Sequence, residues 1–459
     1  MSAEASDMSS WLLMGLPGVA YLTGIADAGW TAIGLGIGTY LNWLIVAQRL
    51  RRYSIICNTI TIPDFFSRRF KDNKNILMCI SAIIILIFFI PYTASGFKAI
   101  GTLFSSLLAL ITMLHDHWRG CYRRLYSHGR LHGSFHYRSD TERGYVHFPD
   151  SHRILWNPYG WRLERSCKQR YIFSRLSFHD PASRQGICLC CTIQPVFHYI
   201  YTCMGAWLLR YASYPSSFHA IEEEKKLVLS RRIATVWVLI SMCVAILIGI
   251  IGYGASVAGS IPMFSTSSQS ETVIIQFAHL LGQNGFLLSL IAGVVLAGIL
   301  ACTMSTADSQ LLTAASGVSQ NLLQDFFKDQ MSTADSMNAA RFTVMGIAIV
   351  AVFLAWNPDS SVFTIVSFAW AGFGASFGPL VLFALFWRRT NMQGALAGML
   401  TGGIMVFVWK YLVRPLGGNF NIYELLPAFI LSCLAIIIVS LLTKEPSQEI
   451  YDEFDSVGK

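Results

Sequence analysis

The chain has 459 residues, of which 54% are hydrophobic and 13% are charged, and its mean hydropathy is +0.49. This balance excludes an ordinary soluble globular protein and indicates a membrane protein. The formal net charge of +8 does not indicate nucleic-acid binding, because membrane proteins concentrate Lys and Arg in their cytoplasmic loops.

Apolar runs long enough to cross a bilayer, which takes about 17 to 25 helical residues, recur along the chain. The runs are uninterrupted, which favours helices over the alternating pattern of a membrane barrel. The sequence therefore predicts an all-α multi-spanning membrane protein. The candidate spans are 9–24, 28–47, 76–97, 233–254, 286–303, 342–356, 362–387, 395–413 and 423–442, with a further helix within 271–282.

Basic residues collect in short connections between these spans. Arg51 and Arg68 lie between the second and third spans, and Arg388 and Arg389 follow the span at 362–387. The excess of Lys and Arg in cytoplasmic loops places these connections inside the cell. We therefore expect a multi-pass protein of the bacterial inner membrane with residues 444–459 as a cytoplasmic tail.

Residues 108–219 differ from both flanks, because they contain no apolar run of spanning length and hold ten of the eleven histidines. One interpretation is a metal site and another is an RNA-binding insert, since the segment is basic, aromatic and rich in potential ligands. The residues that carry the metal interpretation are His128, His132 and His136, at helical spacing, and Cys188, Cys190 and Cys191.

A shift of reading frame explains this segment better. When the possible codons for 116–136 are read from their second base, they admit IIGGVVIVVY and MGGFMAVS, and continuing to Asp140 admits ITDLIQ. The same shift applied to 204–217 admits WGLGYFGMPHIL. Two stretches thus become apolar and glycine-punctuated under one operation. We interpret 108–219 as translated out of frame and predict that it lacks a core and is disordered, between symporter-like parts at 1–107 and 220–443.

Several strings outside that segment resemble successive signatures of the bacterial sodium/proline symporters in the sodium:solute symporter family. They are SAEASDMSSWLLMGLPG at 2–18, TIPDFFSRRF at 61–70, YTASGF at 92–97, LACTMSTADSQLL at 300–312, AWAGFGASFGPLVLF at 369–383, GALAGM at 394–399 and YELLPAF at 423–429. The resemblance implies a LeuT-type inverted-repeat helix bundle, incomplete in this chain, that carries out sodium-coupled uptake of L-proline. It implies no enzymatic activity, no cofactor beyond the coupling ion and no nucleic-acid partner. It also implies that a helix and a half before Asp7 have been lost.

Ser305 and Thr306 place two hydroxyls inside an apolar span. Hydroxyls and backbone carbonyls freed at a helix break can ligate sodium at membrane depth, although such hydroxyls also commonly bond back to the preceding helical turn. The resemblance implies that both hydroxyls bind sodium at the end of their helix, and that Ala5, Met8 and Cys302 donate carbonyl oxygens.

The first apolar run carries the remaining candidates. The resemblance implies that Asp7 is an essential acidic residue and that Ser9, Trp11 and Gly15 lie on the substrate side. A carboxylate at the start of an apolar run is a functional candidate by default, but it is also an ordinary acid at a helix start. Aromatic and small residues equally serve helix packing.

Three hypotheses follow. The first is a sodium/proline symporter by descent, whose present chain is inactive because a helix and a half at the start and about four spans in the middle are missing, whether through gene decay or through an error in the sequence. The second is a working sodium symporter for another small organic solute. The third is a non-transport protein in which 108–219 forms a metal-binding or nucleic-acid-binding domain on a membrane anchor.

Overall fold

The computed structural model describes residues 8–59, 61–128, 226–327, 332–357 and 360–457, and it describes side chains there except at 108–128, 226, 325 and 333. All regular elements of the described residues are helices. The prediction of a disordered, out-of-frame segment at 108–219 lies largely outside the described residues. Its first part is described as backbone only, and there the fourth helix continues to His128.

The first four helices precede that segment. Each begins or ends where the sequence supplies a local signal: Gly24 ends α1 with a φ of +71°, and the Thr61 hydroxyl caps α3 by accepting a hydrogen bond from the Asp64 amide. The helices are α1 (Trp11–Thr23, opening with a π-helical turn at Trp11–Gly15), α2 (Ile25–Cys57), α3 (Ile62–Arg69) and α4 (Ile76–His128).

Among the described residues from 226 onward, nine α-helices follow. They are α5 (Lys226–Val257), α6 (Ser267–Ser270), α7 (Val273–Gly282), α8 (Phe286–Ser316, continued by a π-helical stretch at Gly317–Phe326), α9 (Thr333–Ala355), α10 (Val362–Phe386), α11 (Met392–Val408), α12 (Leu425–Leu442) and α13 (Gln448–Val457).

Eight helices in the described residues are long and apolar enough to cross a membrane, which confirms the all-α multi-spanning class. The predicted span at 9–24 corresponds to α1, which is shorter than these eight because the turn at Gly24 separates it from α2. The expected helix within 271–282 is α7. It lies in the connection between two spans.

Helix α10 forms the centre of the bundle. It packs against α4, α11 and α12, and 89% of its most apolar window is buried, compared with 17% for the span containing α8. Aromatic rings fill the contact with α4, where the Phe89 and Phe373 centroids lie 4.8 Å apart. Because α10 is surrounded by protein, its neighbouring helices hold both of its ends in place. The candidate functional residues are positioned relative to these ends.

Candidate functional site

The buried face of α8 carries most of its polar candidates. Thr303, Thr306, Ala307 and Gln310 are all buried, and their spacing of three and four residues places them on one side of the helix. Ser305 is exposed on the other side. The structure therefore separates the two adjacent hydroxyls that the sequence analysis paired as sodium ligands.

Thr306 differs from its neighbour Thr303 in how its hydroxyl is used. Thr303 Oγ1 donates to the Ile299 carbonyl at 2.7 Å, which is the local bond expected of a helical threonine. Thr306 Oγ1 is buried and has no hydrogen-bond partner. A buried polar group without a partner costs about 1 to 3 kcal/mol, a cost that a bound cation can offset through the oxygen lone pairs. Thr306 is thus the buried α8 hydroxyl with free ligand capacity.

The same face of α8 packs closely on α4. Thr93 Oγ1 donates to Gln310 Oε1 at 3.4 Å, and both residues are buried. A Cβ built on Gly96 would lie 3.4 Å from Thr303 Cγ2, so the two helices approach to ordinary van der Waals contact there. Polar groups therefore meet between two membrane spans, beside Thr306.

The expected break or end of the helix at Thr306 is wrong. Helix α8 continues without interruption to Ser316 and then as a π-helical stretch to Phe326. In an uninterrupted α-helix the Cys302 carbonyl accepts the amide hydrogen four residues along the chain, so its main hydrogen-bonding capacity is already used. The Cys302 thiol is half-buried, with Sγ 3.6 Å from the Ile299 carbonyl oxygen.

The start of α1 supplies two further unpartnered hydroxyls. Ser9 and Ser10 are buried and the Oγ atom of each lacks a hydrogen-bond partner. Met8, directly before them, is buried against α5, where Ser241 Oγ lies 3.5 Å from its sulfur. The candidates Ala5 and Asp7 lie outside the described residues.

Trp11 and Gly15 face α10. Trp11 is fully buried, and its ring meets that of Trp370 edge-on with centroids 4.7 Å apart. A Cβ on Gly15 would approach Phe363 Cβ to 3.3 Å. Sequence reasoning missed Trp370, whose buried indole Nε1 has no hydrogen-bond partner. The sequence feature that could have identified Trp370 is its place in the string AWAGFGASFG. Nothing in that string indicates that Trp370 packs against Trp11.

The two groups of candidates lie on different helices that share a neighbour. The start of α1 packs against α5, α7 and α10, whereas α8 packs against α4, α7 and α9. Within the described ranges, no group of three or more His, Cys, Asp or Glu side chains could hold a metal ion. The His and Cys residues of the metal interpretation have no described side chains. The candidate residues supply neutral oxygen ligands, which suit a hard monovalent cation.

Comparisons with known proteins agree with this chemistry. The model of the sodium:solute symporter family matches residues 1–114 and 191–402. The chain is 36% identical over 478 residues to a sodium/proline symporter of Haemophilus influenzae, covering 100% of this chain and 89% of that relative. It is 35% identical to a sodium/proline symporter of Escherichia coli, covering 99% and 87%. It is 36% identical to an osmoregulated proline transporter of Bacillus subtilis, covering 100% and 89%.

A solved structure shows the same fold. The substrate-bound, outward-open state of a Na⁺-coupled sialic acid symporter superposes with a TM-score of 0.58 at 15% sequence identity, covering 97% of this chain and 90% of that one. At this identity the likeness establishes the architecture alone. The bundle is of the LeuT type expected from the sequence.

Proposed function

The chain belongs to the sodium:solute symporter family, and we propose that it is, by descent, a sodium-coupled secondary transporter that imports L-proline. Relatives described as sodium/proline symporters, about a third identical along nearly the whole chain, support this substrate. The observation that carries the coupling ion is the buried, unpartnered hydroxyl of Thr306 in a membrane span.

Sodium at membrane depth needs oxygen ligands that replace its water without adding an unpaired charge. Thr306 supplies one such oxygen, and Ser305 and the carbonyls of Ala5, Met8 and Cys302 are the other proposed ligands. Asp7 is proposed as the essential acidic residue for coupling. Ser305 reaches the ion only if α8 rotates or its exposed side is covered, because it lies about 100° around the helix from Thr306, on the exposed side. Ser9, Trp11 and Gly15 are proposed to form the substrate side.

Transport on this proposal involves no covalent chemistry and no cofactor. Sodium bound between α1 and α8 favours the outward-open state and orders the substrate site. Joint occupancy then permits closure and inward opening, so that the sodium gradient drives proline uptake. Because coupling is reciprocal, proline must tighten sodium binding by the same factor as sodium tightens proline binding.

We place the protein in the bacterial inner membrane with its C-terminus in the cytoplasm. The basic connections at Arg51, Arg68 and Arg388 support this orientation under the positive-inside rule. Arg388 also pairs with Asp455 of the tail at 3.0 Å, so the tail lies on the same side of the bundle as these arginines.

Residues 108–219 are the part on which activity depends. We propose that they are translated out of frame and replace about four membrane spans of the intact transporter. The family match omits 115–190 but includes 108–114 and 191–219, so it supports the interpretation for the middle of the segment. Resequencing genomic DNA across codons 100 to 225 tests it directly. Two outcomes support it: the insertions or deletions disappear on resequencing, or their correction restores an open frame that encodes apolar helices. A confirmed sequence with no such frame contradicts it.

The transport proposal is tested by uptake of radiolabelled L-proline into proteoliposomes. The present chain is compared, under an inward sodium gradient, with a chain in which the frame is restored over codons 108 to 219 and any in-frame codons upstream of Met1 are included. We expect uptake by the restored chain that is lost when choline replaces sodium or when an ionophore collapses the gradient. No uptake by the present chain is expected. A restored chain that accumulates another solute but not proline would contradict the proposal that L-proline is the substrate.

A further inference from the structure

The C-terminal helix α13 lies against the basic end of the bundle through one apolar face. Ile450, Phe454 and Val457 are buried, and their spacing of four and three residues aligns them on that face. The helix packs on the end of α2. The remaining surface of α13 is acidic, so this helix has two different contacts with the bundle, one apolar and one electrostatic.

Two arginine side chains pack over the aromatic ring of Phe454. The guanidinium carbon of Arg49 lies 4.9 Å from the ring centroid, and that of Arg69 lies 5.5 Å from it. Arg69 is fully buried and its Nε donates to the carbonyl of Ala384, near the end of α10, at 3.2 Å. Through Phe454 the tail therefore touches α2 and α3, and Arg69 links this point to the end of α10.

Ion pairs flank that point on both sides. Lys71, after α3, pairs with Glu449 at 3.1 Å and also with Glu453. Arg388, after α10, pairs with Asp455, and its guanidinium carbon lies 4.5 Å from the Tyr451 ring centroid. The tail thus bridges two parts of the bundle that are far apart in sequence. We call the residues Lys71, Arg388, Glu449, Glu453, Phe454 and Asp455 the tail clasp.

The docked tail also leaves polar groups in and beside the tail clasp unsatisfied. Arg69 Nη1 and Nη2, Arg49 Nε and Glu453 Oε2 are buried without hydrogen-bond partners. Undocking would return water to these groups, which opposes the gain from burying the apolar face. The flanking pairs are partly exposed, with Arg388 and Asp455 each 52% exposed, so dissolved salt reaches them. Ionic strength can therefore shift the equilibrium between the docked and the undocked tail.

We propose that α13 is a salt-sensitive latch, which ties the α3–α4 connection to the end of α10 and releases when its ion pairs are screened. Between 0.1 M and 1 M salt the screening length falls from about 10 Å to about 3 Å, so partly exposed pairs lose most of their attraction. The latch concerns the bundle and its own tail, and it holds whether or not the chain transports proline.

The test uses a zero-length carbodiimide cross-link between Lys71 and Glu453 in the full chain reconstituted in nanodiscs, quantified by mass spectrometry. The pair Lys410 and Glu424, 3.8 Å apart with Glu424 only 2% exposed, is the internal control. We expect the yield of the first cross-link relative to the second to fall about three- to tenfold between 0.1 M and 1 M KCl. An unchanged ratio would overturn the proposal.

Charge variants separate a latch from a merely structural contact. Arg388→Glu leaves Lys71 and Glu453 untouched, yet it should lower their relative cross-link at 0.1 M KCl, whereas the double variant Arg388→Glu with Asp455→Arg should restore it. Arg68→Gln removes the local pair with Asp64 and the hydrogen bond to the Cys57 carbonyl, neither of which involves the tail, and should not change the cross-link. Retention of the Lys410–Glu424 cross-link shows that each variant is folded. A double variant that stays undocked would contradict the electrostatic clasp.

Discussion

The carboxylate of Glu271 caps the first turn of α10: its Oε2 accepts a hydrogen bond from the Val362 amide at 2.9 Å. Oε1 accepts a second one from the Phe363 amide at 3.0 Å, so two donors at the helix N-terminus are satisfied by a residue from the α6–α7 connection. The side chain is only 2% exposed. Burial raises the pKa of Glu271 to about 7, although the two amide bonds act in the opposite direction.

This shift predicts that Glu271 makes folding less favourable as pH rises. A folded-state pKa above the ordinary glutamate value means that the folded protein holds the proton more tightly than the unfolded chain. The stabilising proton is fully bound below the ordinary pKa and is lost as pH rises through about 7, which corresponds to at most about 3 kcal/mol. Thermal unfolding in detergent should therefore show a loss of stability from pH 5 to pH 8.

Glu271→Gln removes the titration and keeps the size of the side chain. The loss of stability between pH 5 and pH 8 should be smaller in this variant than in the parent chain, because its amide stays neutral throughout. The same pH dependence in both proteins would show that other groups are responsible.

Thr306→Val tests the free hydroxyl. The substitution removes an unpartnered polar group while keeping the shape, so the sodium-free protein should gain about 1 kcal/mol of unfolding free energy. Stabilisation by added NaCl over choline chloride should disappear, because binding to the folded state is what produces it. Thr303→Val is the matched control: it loses the bond to Ile299, costs about 1 kcal/mol and keeps the sodium response. A sodium response that survives Thr306→Val would exclude Thr306 as a ligand.

Gly402→Ala tests the contact between α11 and α10. A Cβ at Gly402 would lie 2.1 Å from the Ala375 carbonyl oxygen, which is backbone and cannot move aside. Separating the helices should cost about 1 to 3 kcal/mol or more. At the adjacent Gly403 the nearest atom is the Ser376 hydroxyl at 3.2 Å, which can rotate, so Gly403→Ala should cost clearly less. Chemical denaturation in detergent compares the two, and equal losses would contradict the predicted contact.

Tyr21→Phe tests the link between α1 and the end of α5. The Tyr21 hydroxyl donates to Ser256 Oγ at 2.9 Å and accepts from the Phe264 amide at 3.0 Å. Removing the hydroxyl leaves the Phe264 amide without its hydrogen-bond acceptor and should lower the unfolding free energy by about 1 to 3 kcal/mol. Tyr411→Phe, at a residue 61% exposed, should stay within about 0.5 kcal/mol. Thermal unfolding compares the two, and a neutral Tyr21→Phe would show that water replaces the hydroxyl.

The sequence by itself determined the class of the protein and the approximate positions of its membrane-spanning helices. Span length and continuous apolarity are local properties, because a helix satisfies its own backbone in lipid and needs no partner to be recognised. The predicted run at 362–387 and the observed helix Val362–Phe386 differ by one residue at the end for this reason. The strings around Ser305 and Trp370 likewise indicated the family before any fold was known.

Only the tertiary structure decided what each side chain does. Adjacent Ser305 and Thr306 read alike in sequence, yet the packing of α8 on α4 buries one hydroxyl and exposes the other. Glu271 lies 91 residues from the amide that it caps, and no local pattern encodes that partner. The pairing of Trp11 with Trp370 and the docking of the acidic tail on Lys71 and Arg388 depend equally on distant contacts. Burial and hydrogen-bond partners are set by which helices meet, so they follow from the fold and not from the spacing of residues along the chain.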